Sequence, residues 1–267
     1  MKPGPRLMAS QELLDEIWGD TSPPNVVMDN YFRQRRYAGS GDRRAINDRV
    51  YNILRRRAKL DWWIARTGIG LSPSGRTRLI ADLAITDRSV PDQIADWFSG
   101  AKHFPPALDD AERELVDALS GCPLHHQDMP RSVAFEYPEW MDRSLSALWG
   151  DRLEEEIAAL NEPAPVDLRV NTLKTSPEAA QAALAEASVV AHPTPFSPLG
   201  LRHDGHPRLG ETAAFKKGLV EIQDEGSQLV SLLVGAGPGM TVVDFCAGAG
   251  GKTLAMAAAM GLDGSLV

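Results

Sequence analysis

The chain has 267 residues, of which 43% are hydrophobic, 24% charged and 6% aromatic, a composition typical of globular domains rather than disordered or fibrous proteins. No segment approaches the roughly 18 uninterrupted apolar residues of a membrane span, and the first residues lack the apolar core of a signal peptide. The sequence therefore predicts a cytoplasmic protein of one or two domains with no membrane partner.

The cysteines and histidines give no metal-site pattern. Cys122 and Cys246 are far apart, and neither has a partner at CxxC spacing, so a disulfide framework and a zinc site are both disfavoured. His125 and His126 are adjacent and therefore point in different directions on any regular element. An exposed pair in a linker is favoured over a ligand pair, and no metal is predicted.

The net charge of -8 conceals an uneven distribution along the chain. Residues 1–70 carry 13 Lys or Arg against 8 Asp or Glu, whereas the remainder carries 15 against 28. Within residues 31–66 the contrast sharpens to 11 basic against 3 acidic side chains. This local excess indicates a surface for a polyanion, with a solvated helix face as the alternative.

From about Ser10 to Gly121 apolar residues recur at helical spacing, which predicts an all-α bundle. Helices are expected near residues 11–18, 25–36, 75–85, 91–98 and 109–120. One further amphipathic helix, with Asp42 as its N-cap, is predicted from a single apolar stripe. The stripe residues are Ile46, Val50, Ile53, Leu54, Leu60 and Ile64.

The sequence pattern changes in the middle of the chain. Poor helical periodicity places a boundary between Gly121 and Pro138, and two helices are expected near residues 138–149 and 151–161. Residues 166–170 then alternate between apolar and polar side chains, which predicts a strand. Ser176 and Pro177 are a plausible N-cap and first helical residue. With short extended pieces near 200–209 and 218–223, this part predicts a small α/β lobe.

The last fifty residues carry the strongest local pattern. A short apolar run, TVVDF at 241–245, leads into CAGAGGKT and then into a helix-forming segment, LAMAAAM. A helix is expected upstream at 224–236, and a second strand begins near 264. A strand that turns sharply into a helix presents unpaired backbone N–H groups and the positive helix end to a ligand.

Three ligand classes use such a glycine loop. The dinucleotide pattern GxGxxG is not matched. A Walker A loop is matched only in its second half, Gly251-Lys252-Thr253, because its first glycine would fall on Cys246. The third class binds S-adenosylmethionine and has an acidic residue at the end of the preceding strand, a position that Asp244 occupies.

Three linked segments carry a family resemblance: DLRVNTLK at 167–174, VEIQDEGSQLV at 220–230 and DFCAGAGGKTLAMAA at 244–258. Together they resemble the RNA cytosine-C5 methyltransferases of the Sun/Nol1/Nop2 (RsmB-like) family. The resemblance implies S-adenosyl-L-methionine as cofactor, even though Ala249 replaces the family's proline. It assigns the cofactor to Cys246, Ala247, Gly248, Ala249, Gly250, Gly251 and Lys252.

The helical region also resembles the antitermination-factor (NusB-like) RNA-binding domain, chiefly through SGDRRAINDRVYNILRRRAKLDWWI at 40–64. This resemblance implies an RNA partner, with ribosomal small-subunit RNA as the family's familiar target. The phosphate-contacting candidates are Arg43, Arg44, Arg55, Arg56 and Arg57. For Trp62, Trp63 and Trp97, packing is favoured over base stacking.

The predicted fold is therefore multi-domain. An all-α NusB-like bundle (1–130) precedes a small α/β lobe (138–215) and the incomplete start of a Rossmann-like methyltransferase sheet (216–267). Methylation of cytosine C5 requires a cysteine nucleophile, which relatives carry in Pro-Cys segments well after the glycine loop. Cys122 and Cys246 do not match those segments. No catalytic residue is assigned, and the nucleophile is expected beyond Val267.

These features predict a truncated methyltransferase that is inactive by itself, with an exposed apolar edge at residues 241–245. One alternative is a module that binds RNA or a protein partner without catalysis. A P-loop nucleotide hydrolase is the other, disfavoured because the segments at 167–174 and 220–230 have no place in it. The oligomeric state is left open.

Overall fold

The computed structural model of the protein describes residues 1–205 and 207–267. Two compact units divide the chain: residues 1–162, here the helical unit, and residues 163–267, here the mixed unit. The division predicted at residues 130, 138 and 215 stays a prediction. Within the described residues, no helix combines the length and the apolar character needed to cross a bilayer.

Helices joined by short connections build the helical unit. They are α1 (Pro3–Gly19), α2 (Pro24–Gln34), α3 (Ser40–Arg55), α4 (Arg57–Arg66), α5 (Gly75–Ile85), α6 (Pro91–Trp97), α7 (Asp110–Leu119), α8 (Arg131–Ala134), α9 (Asp142–Trp149) and α10 (Leu153–Asn161). Prediction and structure agree for α5, and they agree to within one residue at each end of α6 and α7. The first helix is longer than predicted, because it begins at Pro3 rather than near residue 11.

The predicted apolar stripe faces the core, and all of its residues except Leu54 are buried there. Two details of this region were predicted wrongly. The stripe belongs to two helices, because α3 ends at Arg55 and α4 begins at Arg57. Asp42 is not an N-cap: Gly39 has that position, and the Asp42 carboxylate pairs with Arg6 at 2.8 Å.

A distant carboxylate caps the start of α4. The side chain of Glu136 accepts hydrogen bonds from the backbone N–H groups of Ala58 (2.8 Å) and Lys59 (3.0 Å). These donors have no partner within the helix, since they belong to its first turn. Glu136 has a φ of 61°, in the left-handed region, so the contact is held at some backbone cost. Burial raises the pKa of this carboxyl group, and the two N–H groups oppose that rise.

An antiparallel sheet organises the first part of the mixed unit. Its strands are β1 (Val166–Val170), β2 (His192–Pro193), β3 (Gly200–His203) and β4 (Val220–Ile222), in the spatial order β2-β3-β1-β4. Helix α11 (Pro177–Glu186) follows β1, and the short α12 (Ala213–Lys216) precedes β4. The predicted strand at 166–170 is confirmed, and Ser176 caps α11 as predicted by accepting the N–H of Ala179.

The second part of the mixed unit is a strand–helix–strand arrangement. After α13 (Glu225–Leu233) come β5 (Met240–Val242), α14 (Gly251–Ala259) and β6 (Gly264–Leu266). Strands β5 and β6 pair in parallel, which confirms the predicted order of strand, glycine loop, helix and second strand. Beyond the end of β5, Val243 is 66% exposed and Phe245 94% exposed, so the predicted apolar edge is present.

Both faces of β1 are buried, but one of them is charged. Leu168 and Val170 point into the apolar core of the unit, whereas Asp167 and Arg169 lie on the opposite face. Arg202 donates two hydrogen bonds to the Asp167 carboxylate, at 2.7 and 2.8 Å. Those bonds hold the pKa of Asp167 below its usual range, outweighing the opposite effect of burial.

The cap on α4 gives a first prediction. Replacing Glu136 with alanine should lower the free energy of unfolding by about 1 kcal/mol, because two N–H groups of α4 lose their acceptor. Glutamate and alanine at position 136 share the same left-handed backbone conformation, so the backbone strain cancels in the comparison. Urea denaturation provides the measurement, with Glu139→Ala, an exposed neighbour, as the control. Equal effects of the two changes would show that the cap contributes nothing.

The Asp167–Arg202 pair gives a prediction that depends on pH. At neutral pH, Asp167→Asn should lower the free energy of unfolding by about 1.5–3 kcal/mol, the range for hydrogen bonds to a charged group. Because the folded-state pKa of Asp167 is depressed, its contribution is complete above the ordinary value of about 3.9. It should fade as the pH falls through the folded-state pKa.

Denaturation curves for the wild type and Asp167→Asn should therefore converge in acid and separate at neutral pH. Asp263→Asn, a change at an exposed carboxylate of the same unit, is the matched control and should show no such trend. A difference between wild type and Asp167→Asn that stays constant with pH would rule out the ionised pair as its cause.

Candidate functional site

The turn between β5 and α14 depends on glycine. Gly248 has a φ of 56°, and Gly250, the N-cap of α14, has a φ of 81°. Both values lie where a side chain would strain the backbone. The turn is closed by the Thr253 hydroxyl, which donates to Asp244 Oδ2 at 2.6 Å and so ties the helix to the end of the strand.

This turn leaves donors available to a ligand. The N–H groups of Gly251, Lys252 and Thr253 belong to the first turn of α14, where no carbonyl of the helix can accept them. The positive end of the helix dipole and the exposed Lys252 ammonium lie at the same place. An anionic group is therefore favoured close to the loop.

A cavity of about 350 Å³ opens beside the loop. Of the seven predicted cofactor residues, all but Gly250 line it. The opposite wall comes from three residues that were not predicted as site residues: Gln223, Asp224 and Ser227. They belong to the segment at 220–230 that carried the family resemblance, so the signal was present in the sequence although its geometric role was not.

Hydrogen bonds fix that opposite wall to the sheet. Gln223 donates its N–H to the carbonyl of Asp167 (3.0 Å), and its side chain accepts from Arg169 (2.7 Å). Asp224 caps α13 by accepting the N–H of Ser227 at 3.3 Å. The three resemblance segments thus meet here, because β1 holds the wall and the glycine loop faces it.

Buried polar groups behind the wall complete its support. The Glu225 carboxylate accepts the N–H groups of Phe196 (2.6 Å) and Ser197 (2.8 Å). Burial acts to raise the pKa of Glu225, but these N–H donors bring it below its usual range. Gln228 donates to the carbonyl of Gln223 at 2.8 Å and accepts from the Ser197 hydroxyl at 2.7 Å. The wall is therefore held from both sides.

The five arginines predicted to contact RNA fall into two groups. Arg44, Arg55 and Arg57 are exposed. Arg43 instead donates to the carbonyl of Ala38 at 2.9 Å, and Arg56 lies 3.6 Å from a carboxylate oxygen of the buried Asp82. The first group is the more exposed, although the Arg55 guanidinium lies 5.7 Å from the centroid of the Tyr51 ring.

The tryptophans pack against the protein, as favoured from the sequence. Trp63 is buried and donates its indole N–H to the carbonyl of Pro123 at 3.1 Å. The ring of Trp62 lies 5.4 Å from that of His126 and 4.8 Å from the Arg66 guanidinium. Trp97 packs, partly buried, against the core of the helical unit. Among the described residues, no cluster of His, Cys, Asp or Glu has a metal-binding arrangement.

Comparison with protein families identifies one domain. Residues 137–207 match the family model for the ferredoxin-like domain of RsmF/B-like methyltransferases. The sheet order β2-β3-β1-β4, with helices after β1 and before β4, has the β-α-β-β-α-β arrangement of that fold. The match covers the segment from Tyr137 through β3.

Curated relatives extend the similarity to both units. The chain is 26% identical over 243 residues to a probable ribosomal RNA small subunit methyltransferase B of Synechocystis, covering 84% of this chain and 54% of the relative. It is 32% identical over 187 residues to the ribosomal RNA small subunit methyltransferase B of Pseudomonas putida, covering 69% and 41%. The chain spans about half the length of the curated relatives it matches.

Among solved structures, the crystal structure of PH0851 matches the whole chain with a TM-score of 0.68, at 22% identity and over 63% of that protein. At this identity the match establishes a shared fold. The sequence matches make the chain a homologue of proteins named ribosomal RNA small subunit methyltransferase B over part of their length, with the ferredoxin-like domain of RsmF/B-like methyltransferases at residues 137–207.

Proposed function

We propose that the chain takes part in S-adenosylmethionine-dependent methylation of ribosomal RNA, at cytosine C5. The observation that carries this proposal is the cavity between the glycine loop and the segment at 220–230. The relatives of this chain are named ribosomal RNA methyltransferases, and such enzymes require a methyl donor. A NusB-like helical domain and a Rossmann-like cofactor domain form part of the same proposal.

The cavity suits the cofactor in chemistry. Ala247, Gly248 and Ala249 leave the loop without bulky side chains, so a ligand can approach the backbone closely. The first N–H groups of α14 and Lys252 favour a carboxylate, and Asp224 on the opposite wall favours a cation. S-adenosylmethionine carries both a carboxylate and a cationic group, and it supplies an electrophilic methyl group when bound.

The same residues do not supply the nucleophile for cytosine. Attack at C6 requires a thiolate, and Cys246 lies in the loop that would hold the cofactor. We therefore assign Cys246 to the cavity lining, as the sequence predicts, and assign no catalytic residue. The role proposed for this chain is to bind the cofactor and the RNA.

The exposed arginines supply the RNA contact in this proposal. Arg44, Arg55 and Arg57 are exposed along α3 and at the start of α4, in the most basic part of the chain. Contacts of this kind to phosphates give affinity that falls with salt and carries little sequence preference. Arg43 and Arg56 are assigned to the same surface, with a weaker contribution because the protein itself engages their guanidinium groups.

Cofactor binding gives the first test. The chain should bind S-adenosylmethionine in isothermal titration calorimetry, and Lys252→Ala should weaken binding by roughly fivefold, the loss expected for one partly exposed charge interaction. Lys216→Ala, a change at another exposed lysine of the mixed unit, is the control. Binding of magnesium-ATP with no binding of S-adenosylmethionine would instead favour the P-loop alternative.

RNA binding gives the second test. The double change Arg55→Ala and Arg57→Ala should weaken binding to a ribosomal RNA hairpin. It should also reduce the slope of log affinity against log salt by about 1.5, since each phosphate contact contributes roughly 0.7–0.9. Arg113→Ala, an exposed change on α7, serves as the control. An unchanged affinity and slope in the double variant would remove this surface from the proposal.

A further inference from the structure

A cavity of about 590 Å³ lies in the helical unit, and none of the arginines assigned to RNA phosphates lines it. Helix α1 supplies four of its lining residues, and the others come from the N-terminus, the end of α2 with the turn after it, and the segment around residue 103. Its size is within the usual range for small-molecule sites. We refer to it as the Tyr37 pocket, and the residues that matter for its chemistry are Met8, Glu12, Tyr31, Arg35, Tyr37 and Phe104.

Flat aromatic and cationic groups dominate this pocket. The Arg35 guanidinium stacks on the ring of Tyr31, with its carbon 3.7 Å from the ring centroid. Tyr37 is 74% exposed, so its ring is accessible to a ligand in the pocket. Phe104 adds a third ring to the lining. Such surfaces bind planar ligands by stacking.

One acceptor in the pocket is prepared for hydrogen bonding. Glu12 Oε2 already accepts from the Tyr31 hydroxyl (2.6 Å) and from Arg35 (3.3 Å). Burial, together with the bond to Glu12, raises the pKa of Tyr31, so this hydroxyl remains a donor. The other oxygen, Glu12 Oε1, has no hydrogen-bond partner within the described part of the chain. Because two donors hold the Glu12 carboxylate at Oε2 and Oε1 stays open, this side chain can accept a hydrogen bond from a ligand.

The surroundings favour a polyanion. Residues 31–37 carry three arginines and no acidic residue, and Arg33 and Arg36 are both exposed. Lys102 is exposed and precedes the lining residue His103, whose φ of 68° lies in the strained left-handed region. A basic rim around aromatic rings is the combination with which proteins hold single-stranded nucleic acid.

We propose that the Tyr37 pocket binds an unpaired guanine base of RNA. The base stacks on Tyr37, and its N1–H and N2–H₂ edge donates to Glu12 while the neighbouring phosphates contact the basic rim. Guanine is favoured over uracil because uracil presents one donor on that edge where guanine presents several. The inference rests on the proposed role in RNA methylation and adds a base-reading site to it.

The test uses fluorescence anisotropy with the full chain and three labelled strands: the RNA pentamers UGUGU and UUUUU, and an abasic strand of the same length. Measurements at about 0.5 M salt suppress the phosphate contribution. UGUGU should bind more tightly than UUUUU, and the abasic strand should bind least.

Two variants locate the effect. Tyr37→Ala should weaken UGUGU binding by roughly fivefold or more, as expected for the loss of one base-stacking contact. Trp140→Ala removes another exposed aromatic, 79% accessible, of the same unit and should change nothing. Glu12→Gln should reduce the preference for UGUGU over UUUUU, because a carboxamide replaces the carboxylate acceptor.

Two results would overturn the proposal: equal affinities of Tyr37→Ala and the wild type for UGUGU, or equal binding of the abasic strand and UGUGU. Failure of the proposed function is separate from these, because that function fails when S-adenosylmethionine does not bind the mixed unit. Base-dependent binding that persists without cofactor binding would leave the pocket intact as an RNA site and remove the methyltransferase assignment.

Discussion

The charged face of β1 is the constraint on which the mixed unit depends. Asp167 and Arg169 are two residues apart, so both side chains point away from the apolar core and would be buried without partners. Arg202 satisfies Asp167, while Glu221 and Gln223 satisfy Arg169. Removing one partner of such a pair costs more than the pair contributes, because the other charge stays buried.

Directional hydrogen bonds of this kind specify the register in which β1 pairs, and they also stabilise the fold. An apolar β1 could pair in several registers, whereas in the observed one Arg169 pairs directly with Glu221 and its guanidinium also reaches Gln223. In that register, the residues that directly follow β4 form the wall of the cavity. The apolar face of β1 forms the core of the lobe, and its charged face places Gln223 and Asp224 opposite the glycine loop.

Local patterns were enough to predict many elements. The alternation at 166–170, the N-cap at Ser176 and the apolar spacing of α5 all depend on near neighbours, and all match the structure. Prediction failed where a distant residue decides the outcome. Asp42 pairs with Arg6, 36 residues away, and Glu136 caps a helix that begins about 78 residues earlier.

The candidate site also combines features that local sequence patterns predict with features that depend on distant residues. The loop at 246–252 was assigned to the cofactor from the family resemblance of a local, glycine-rich pattern, and the positive φ of Gly248 and Gly250 gives the physical reason for glycine there. Its opposite wall required the pairing of β4 with β1, which spacing alone does not reveal. The Tyr37 pocket was not predicted at all. Its residues come from three separate segments, and the exposed tyrosine stands in a run of arginines that suggested charge rather than stacking.

The wall of the cavity bears on the choice between the two cofactor hypotheses. In a P-loop the hydroxyl after the lysine serves the magnesium ion of the nucleotide. Here the corresponding Thr253 hydroxyl donates to Asp244 at 2.6 Å, which leaves its oxygen lone pairs available, so this contact alone is compatible with either hypothesis. The cavity wall adds a polar surface from Gln223 and Asp224, which a phosphate cradle made of backbone N–H groups does not need. A carboxylate on that wall disfavours a polyphosphate, whereas a ligand with both a carboxylate and a cation satisfies Lys252 and Asp224 together.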